Sequence, residues 1–588
     1  MTERKTQLIW GGLYLTLAGL AIFSRIWVTE DAYISFRYIE NLFAGKGLVF
    51  NSGDHVEGFT HPLWLFLLIL LRAVGIQPHQ GAILLGFLFS LGGIALAIRW
   101  KSKSGSPLLL LPAILACHDG FRDFSTSGLE FPLTFFLLIA LLALTFQRQL
   151  NSPFLTGTLV SLLYHNRPEM GMLIPFYFLW RFVEVRRLEW RWIIRYSGAV
   201  ALFAGLYHIF RFFYFNDILP NTFYAKSGSS ARYSDGMNYL IHFLTYSKFF
   251  LFSLVVTIGI ALWRYTATGK TAASHRIDPG SIPWREILLA ALLGHYIIRV
   301  GGDFMGFRLL LPTFVVIWFL LDHLAASTVK DLSPVMIRSL NLVLFASASA
   351  VIAFGSEFPT FKRGIVNERT AFINEFDQDG DIIRQLYSGP TDLASGIKYR
   401  WYLKGLEFRN LQACLQVSDF TITNSLTDAK CVDEGVGLGY FGVAAGPEVK
   451  IIDELGLTDR EIARSNKRSS HNRVGHERSI SLEQVIEKRA AFCSLEDARY
   501  DELMGTRFGV LLRIEPEMLF SLGKSEYERK VKGLKQLKNS VREGKSADDQ
   551  KLLSRIEHLE RIWQQRVEDL PDTIKDSEEL SRKADCWI

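Results

Sequence analysis

Up to about Gly355 the chain is a succession of apolar runs broken by short polar stretches. The runs lie near residues 8–24, 62–75, 81–98, 107–117, 131–146, 154–165, 170–183, 193–214, 240–263, 287–299, 309–325 and 335–354. A membrane-crossing helix needs about 20 predominantly apolar residues, about 17 at the low end. The run 62–75 is short, opens with Pro62 after His61 and carries Arg72, so the pattern predicts a re-entrant or interfacial helix there. The runs 107–117 and 154–165 are also short, with polar flanks that can lengthen them. After residue 355 the apolar runs stop and charged residues dominate. The predicted organisation is a polytopic helical membrane domain over 1–355 and a soluble domain over 356–588, large enough to bury a core of its own.

Charge decides the expected topology. With Arg4 and Lys5 inside, and 62–75 not crossing, the basic clusters Arg99–Lys103, Arg148, Arg181–Arg195, Arg264–Arg285 and Lys330–Arg338 all fall on the inner side. If 62–75 crosses, they all fall outside, against the positive-inside rule. The expected arrangement is about eleven spans with the N-terminus cytoplasmic and the C-terminal domain extracytoplasmic. The first apolar run has no small-residue cleavage site and reads as an uncleaved span.

In that arrangement the polar motifs that are not basic runs gather on the outer face. Glu30–Trp64 is the richest. Ile34, Tyr38 and Leu42 recur at helical spacing, predicting an amphipathic helix lying in the interface, closed by Gly45 and Gly47. Glu30 and Asp31 stand at its start, where acids are favoured by the helix dipole. A capping role fits Asp31, but two consecutive acids exceed what a cap requires. The other motifs are His118–Asp123 with Asp119 and Arg122, Ser127–Glu130, His165–Glu169 with Arg167, Asn221–Lys226, and Gly301–Arg308 with Asp303. Each has a plainer structural reading: an ion pair at a helix end, a helix cap, or a solvated loop lysine. Together they place several acids and several arginines on one face of a bundle.

Composition narrows the class. The chain has 588 residues, 49% of them hydrophobic and 21% charged, too apolar for a purely soluble protein and too charged for a purely intramembrane one. No P-loop or dinucleotide fingerprint opens a helix, and no nucleic-acid partner is expected. Cys117 lies in a span, while Cys414, Cys431, Cys493 and Cys586 have no zinc spacing and read equally as thiols or disulfides. Acids with arginines at an outer membrane surface suit a lipid-linked phosphate. Arginine grips phosphate oxygens as a fork, and a carboxylate can deprotonate a hydroxyl acceptor. Nucleotide sugars are absent outside the cytoplasm, so a sugar donor there would ride on a polyprenyl phosphate.

Several short stretches carry a resemblance. They are Asp31-Ala-Tyr-Ile-Ser-Phe-Arg37-Tyr, Gly47-Leu-Val-Phe-Asn51, Val56-Glu57-Gly58-Phe-Thr60-His-Pro62-Leu-Trp64, Thr126-Ser-Gly128-Leu-Glu130, Arg167-Pro-Glu169, Gly301-Gly-Asp303-Phe-Met305-Gly-Phe-Arg308 and Gly439-Tyr-Phe. With them the chain resembles the GT-C superfamily of integral-membrane glycosyltransferases. It is particularly similar to the terminal cell-wall arabinofuranosyltransferases, which use decaprenyl-phosphoryl arabinose.

The resemblance implies a GT-C-like transmembrane catalytic domain followed by an extracytoplasmic α/β or α+β domain in the inner membrane. It implies transfer of a sugar, with arabinofuranose the one it names, from a polyprenyl-phosphate donor to a cell-envelope glycan or lipid-linked acceptor. It implies that an acid of the first outer loop is catalytic, here Asp31 with Glu30 beside it. The second outer loop offers a further acid among Glu130, Asp119 and Asp123. Arg37, Arg122, Arg167, Arg308 and Lys226 become candidates for the donor phosphate. Glu57, Thr60, His61, Trp64, Glu169 and Asp303 become candidates for substrate binding. A divalent metal bridging phosphate and acids is compatible with this set, although the arginines can do the same work. The alternatives are a transporter or flippase of lipid-linked sugars and a catalytically inactive glycan-assembly protein. In the C-terminal part, strands are expected around Gly439–Val443, Val449–Asp453 and Phe508–Ile514, and helix over 524–565.

Overall fold

The computed structural model describes residues 3–103, 108–146, 152–226, 231–246, 283–329 and 333–354, and short stretches between 361 and 478. Those residues are mostly helical. Helix α1 (Glu3–Phe23) leads to α2 (Glu30–Phe43), α3 (Pro62–Ala73), α4 (Pro78–Lys103), α5 (Leu110–Cys117), α6 (Asp119–Phe124), α7 (Phe131–Phe146) and α8 (Pro153–Asn166). Then come α9 (Leu173–Val185), α10 (Trp190–Val200), α11 (Leu206–Phe215), α12 (Asn221–Lys226) and α13 (Tyr233–Tyr246). The series continues with α14 (Trp284–Val300), α15 (Leu311–Val329), α16 (Pro334–Phe354), α17 (Leu438–Ala445) and α18 (Arg460–Arg464). Two small antiparallel pairs, 361–362 with 365–366 and 468–473 with 476–478, are the strands among the described residues.

Among the described residues, five stretches are long and apolar enough to cross a bilayer: Thr6–Phe23, Pro78–Lys101, Trp190–Phe215, Arg308–Ala325 and Pro334–Phe354. The protein is therefore a multi-pass membrane protein. Trp190–Phe215 is one continuous rod, because a π-turn at Ala201–Gly205 joins α10 to α11. Many large apolar side chains on these helices are exposed, among them Leu20, Leu88, Ile194, Phe213 and Phe354, as a lipid-facing surface requires. Helix α3 has 12 residues, about 18 Å at ~1.5 Å per residue, and is too short to cross a ~30 Å hydrocarbon layer alone. Its Arg72 pairs with Glu40 at 2.9 Å, tying its far end back to α2.

Helix α2 starts where the apolar pattern places it and ends at Gly45 and Gly47, whose φ values of 77° and 90° turn the chain. Its setting differs from the interfacial helix expected. Ala32 to Ile39 and Asn41 are all buried, so protein surrounds α2 on every side. Helix α17 supplies one wall. That stretch also departs from expectation, since Gly439–Val443 is helical rather than strand-like. Gly439 and Gly442, at helical spacing, present a bare backbone to α2. A Cβ at Gly439 would stand 2.3 Å from the Glu30 carbonyl oxygen, and one at Gly442 would stand 3.0 Å from Arg37 Cδ. The expected consequence is that Gly439→Ala undocks α17 at a cost of about 1–3 kcal/mol. Limited proteolysis would show it as faster cleavage beyond residue 438, with unchanged cleavage as the contrary result.

Asn51 makes a second link to the C-terminal part. Its side chain donates to the Ile451 carbonyl at 2.8 Å and accepts from the Ile451 N–H at 2.8 Å. Asp453 accepts from the N–H groups of Leu455 and Thr458 and from the Thr458 hydroxyl, shaping a turn. Much of the expected soluble domain, including Phe508–Ile514 and four of the five cysteines, lies outside the described residues; Cys117 is a buried thiol.

Candidate functional site

The site is built around the first turn of α2. Thr29 is the residue before the helix, and Glu30 and Asp31 occupy its first turn. Thr29 does not cap the helix with its side chain; its N–H donates to the Ser127 carbonyl at 2.8 Å. Asp31 is partly accessible and faces Arg308, Lys226, Asp303 and Glu130. Desolvation lifts its pKa above the usual carboxylate value. Arg308 and Lys226 oppose that shift, and Asp303 and Glu130 add to it. A desolvated carboxylate of raised pKa is a stronger base than one in water.

Glu30 is differently employed. Its carboxylate accepts the backbone N–H of Gly439, so it anchors α17. Burial first, and then the charge of Asp31, push its pKa up to about 8, against the backbone N–H groups of Gly439 and Tyr440 that favour the carboxylate. Beside it Tyr440 stacks on Tyr33 with ring centroids 4.4 Å apart and donates to the Val28 carbonyl.

The loop from Gly301 to Arg308 supplies the cation. Gly301 and Gly302 have φ of 92° and 80°, and Phe307, with φ of 65°, is held left-handed despite its side chain. Such a residue costs about 1–3 kcal/mol and persists only where its surroundings over-determine it. Here the Phe307 ring packs against Tyr239 and Phe243, and the turn delivers Arg308. Its Nη2 lies 2.8 Å from Asp303, whose other oxygen accepts the Phe304 N–H.

A second cation–acid set borders it. Arg167 pairs with Glu130 at 2.8 Å and Glu169 at 2.5 Å. His61 Nδ1 stands 3.6 Å from Glu130, and its Nε2 is 2.9 Å from Ser35 on α2. Burial raises the Glu130 pKa, but Arg167, His61 and Arg308 outweigh it and hold the group below its usual value. Burial lowers the His61 pKa, against the charge of Glu130, which raises it. Trp64 donates to the Gly128 carbonyl at 2.9 Å, closing this wall. Thr60 is half-buried on the same stretch.

Of the remaining candidates, all but Lys226 are engaged with partners other than Asp31. Arg37 is buried and donates to the carbonyls of Phe50, Gly442 and Gly446, a clamp between α2 and α17. Glu57 is buried against Arg211 at 2.5 Å and Tyr207 at 2.6 Å. Asp123 is gripped by Arg25 through two hydrogen bonds of 2.5 and 3.0 Å. Asp119 pairs with Arg122. Lys226 ends α12 exposed and reaches Asp31 through its charge. Among the described residues no three His, Cys, Asp or Glu side chains converge as a metal site.

One carboxyl of this cluster had no signal in the sequence. Glu368 receives a 2.6 Å hydrogen bond from Thr29 and faces Asp31, Arg308 and Asp303. Burial and the Asp31 charge push its pKa up to about 8. It follows the last long helix in a stretch, Ile365-Val-Asn-Glu368-Arg369, that belongs to no apolar run.

Acids and arginines are thus held together at the ends of membrane helices. The chain is similar to cell-wall arabinofuranosyltransferases. A terminal beta-(1->2)-arabinofuranosyltransferase of Corynebacterium glutamicum is 26% identical over 532 residues, spanning 82% of this chain and 76% of that protein. One of Mycobacterium tuberculosis is 25% identical over 537 residues, spanning 80% of this chain and 83% of that protein. No family model and no solved structure matches the chain.

Proposed function

We propose that this protein transfers an arabinofuranosyl group from a polyprenyl-phosphoryl donor to a cell-envelope glycan at the outer face of the inner membrane. Asp31 is the base. It takes the proton of the acceptor hydroxyl as that oxygen bonds to the anomeric carbon. The bond from that carbon to the phosphate oxygen breaks, and its electron pair leaves with the phosphate. Arg308 and Lys226 meet the growing phosphate charge, and Arg167, held by Glu130 and Glu169, supports them at longer range. The lipid chain lies between membrane helices beside α2. Residues 1–355 are the catalytic domain, and 356–588 an extracytoplasmic domain fastened to it through α17 and Ile451. About eleven spans place the basic clusters inside.

The observation that carries this reading is a partly accessible, desolvated carboxyl at a helix start whose charge is favoured by two cations, Arg308 and Lys226. A panel of labelled polyprenyl-phospho-sugars offered to the purified protein with an arabinan acceptor tests it. Label is expected to move from the arabinose donor. Transfer from a hexose donor only would overturn the sugar assignment, and transfer from none would overturn the reaction.

A further inference from the structure

The short strand pairing after the last long helix brings an acid onto the base. Val366 N–H donates to the Phe304 carbonyl at 2.7 Å, and Gly306 N–H donates to the Val366 carbonyl at 2.9 Å. Residues 365–366 thereby extend the Gly301–Arg308 loop that carries the site's arginine. Asn367 is buried and accepts the Thr370 N–H at 3.2 Å. Arg369 donates to the Arg25 carbonyl and lies 3.8 Å from Asp123. Between these two fixed points Glu368 turns inward to Thr29, two residues before Asp31. No membrane-helix motif requires this placement. A segment 338 residues away from Glu30 in sequence, by the difference of their numbers, contributes the carboxyl.

We infer that Glu368 is a third carboxyl of the transfer site and the proton partner of Asp31: it keeps its proton while Asp31 is ionised, and so limits the negative charge that meets the anionic donor. The inference rests on the proposed transfer reaction. Asp31, Asp303 and Arg308 face Glu368 from α2 and from the Gly301–Arg308 loop, and Thr29 binds one of its oxygens. Glu30 and Tyr440 face it from α2 and α17. Lys226 and Glu130 reach the pair through Asp31. Asp31, Glu30 and Glu368, with Asp303 and Glu130 near them, do not all ionise together near neutral pH, because each added charge is resisted by the others and by burial. Thr29 leaves the second Glu368 oxygen able to hold the proton. The sign follows: as pH rises through about 8, Glu368 loses that proton, the cluster gains a negative charge, and donor binding weakens.

The test is the pH profile of kcat/KM for polyprenyl-phosphoryl arabinose, measured on the full-length protein in lipid. Wild type is expected to decline above about pH 8, through donor KM more than kcat. Glu368→Gln keeps an oxygen for Thr29 and mimics the protonated acid. It is expected to remove the decline, so that its kcat/KM exceeds that of wild type above about pH 8. Glu368→Asp, which keeps an ionisable acid, should restore a decline. The inference is overturned if the Glu368→Gln profile is unmoved, if its rate drops equally at every pH, or if it fails to fold, which would make Glu368 structural. It is also overturned if Glu30→Gln, rather than Glu368→Gln, removes the decline. An Asp31→Asn variant that stays active would instead sink the transfer reading itself, so the two failures are separable.

Discussion

Asp31→Asn is expected to yield a folded protein whose transfer rate is lower by about 10²- to 10⁴-fold, the usual contribution of a positioned general base. Asparagine has the same size and retains a hydrogen-bonding side chain, so helix α2 and its neighbours keep their packing. It lacks the charge that takes the proton. Stability should not suffer, because burial disfavours the Asp31 charge to begin with and a neutral side chain avoids that penalty. Donor KM should change little or fall, since one negative charge opposite the anionic donor is gone. Initial rates with labelled donor, alongside melting of the detergent-solubilised protein, separate these effects. A variant that transfers at the wild-type rate would remove Asp31 from the chemistry.

Arg308→Gln is expected to cost about 10²- to 10³-fold in kcat, as loss of one preorganised partner for a developing anion does. The reasoning starts from its surroundings. Arg308 faces Asp303, Asp31 and Glu130 and is the cation that most strongly draws the Asp31 pKa down. Removing it deprives the leaving phosphate of a fork and raises the proton affinity of Asp31. The acid limb of the pH–rate profile should therefore move to higher pH. Arg308→Lys restores charge without the planar fork, and should recover the pH profile more fully than the rate. An unchanged acid limb in Arg308→Gln would show that this arginine does not act on Asp31.

The membrane helices were legible because long apolar runs must pair their own backbone groups in lipid, and a run such as Pro334–Phe354 has few other folds open to it. The start of α2 was legible for a similar reason: two acids and a helical stripe mark a helix beginning, and Gly45 and Gly47 mark its end. The burial of α2 was not legible. A stripe of Ile34, Tyr38 and Leu42 looks the same facing lipid or facing protein. What covers the other side, α17, is brought there by Gly439 and Gly442 from some 400 residues further on. Arginines were the hardest to assign. Arg37 and Arg308 each follow an acid at short spacing, yet one is consumed by backbone carbonyls and the other faces the carboxyl cluster. That difference arises from the turn at Phe307 and from the carbonyls of Phe50 and Gly442, which no local pattern announces. Glu368 was missed for the same reason, since its contact with Thr29 is made through a strand pairing distant in sequence.

The most direct measurement reconstitutes the protein in vesicles, supplies labelled polyprenyl-phosphoryl arabinose together with a membrane-impermeant arabinan acceptor outside, and asks where the label goes. The account predicts that label becomes covalently bound to the acceptor with wild type and stays on lipid with Asp31→Asn. Label that remains lipid-linked with both proteins but changes leaflet would contradict it, and would make the acid–arginine cluster a passage for the lipid-linked sugar rather than a place where its glycosidic bond is exchanged.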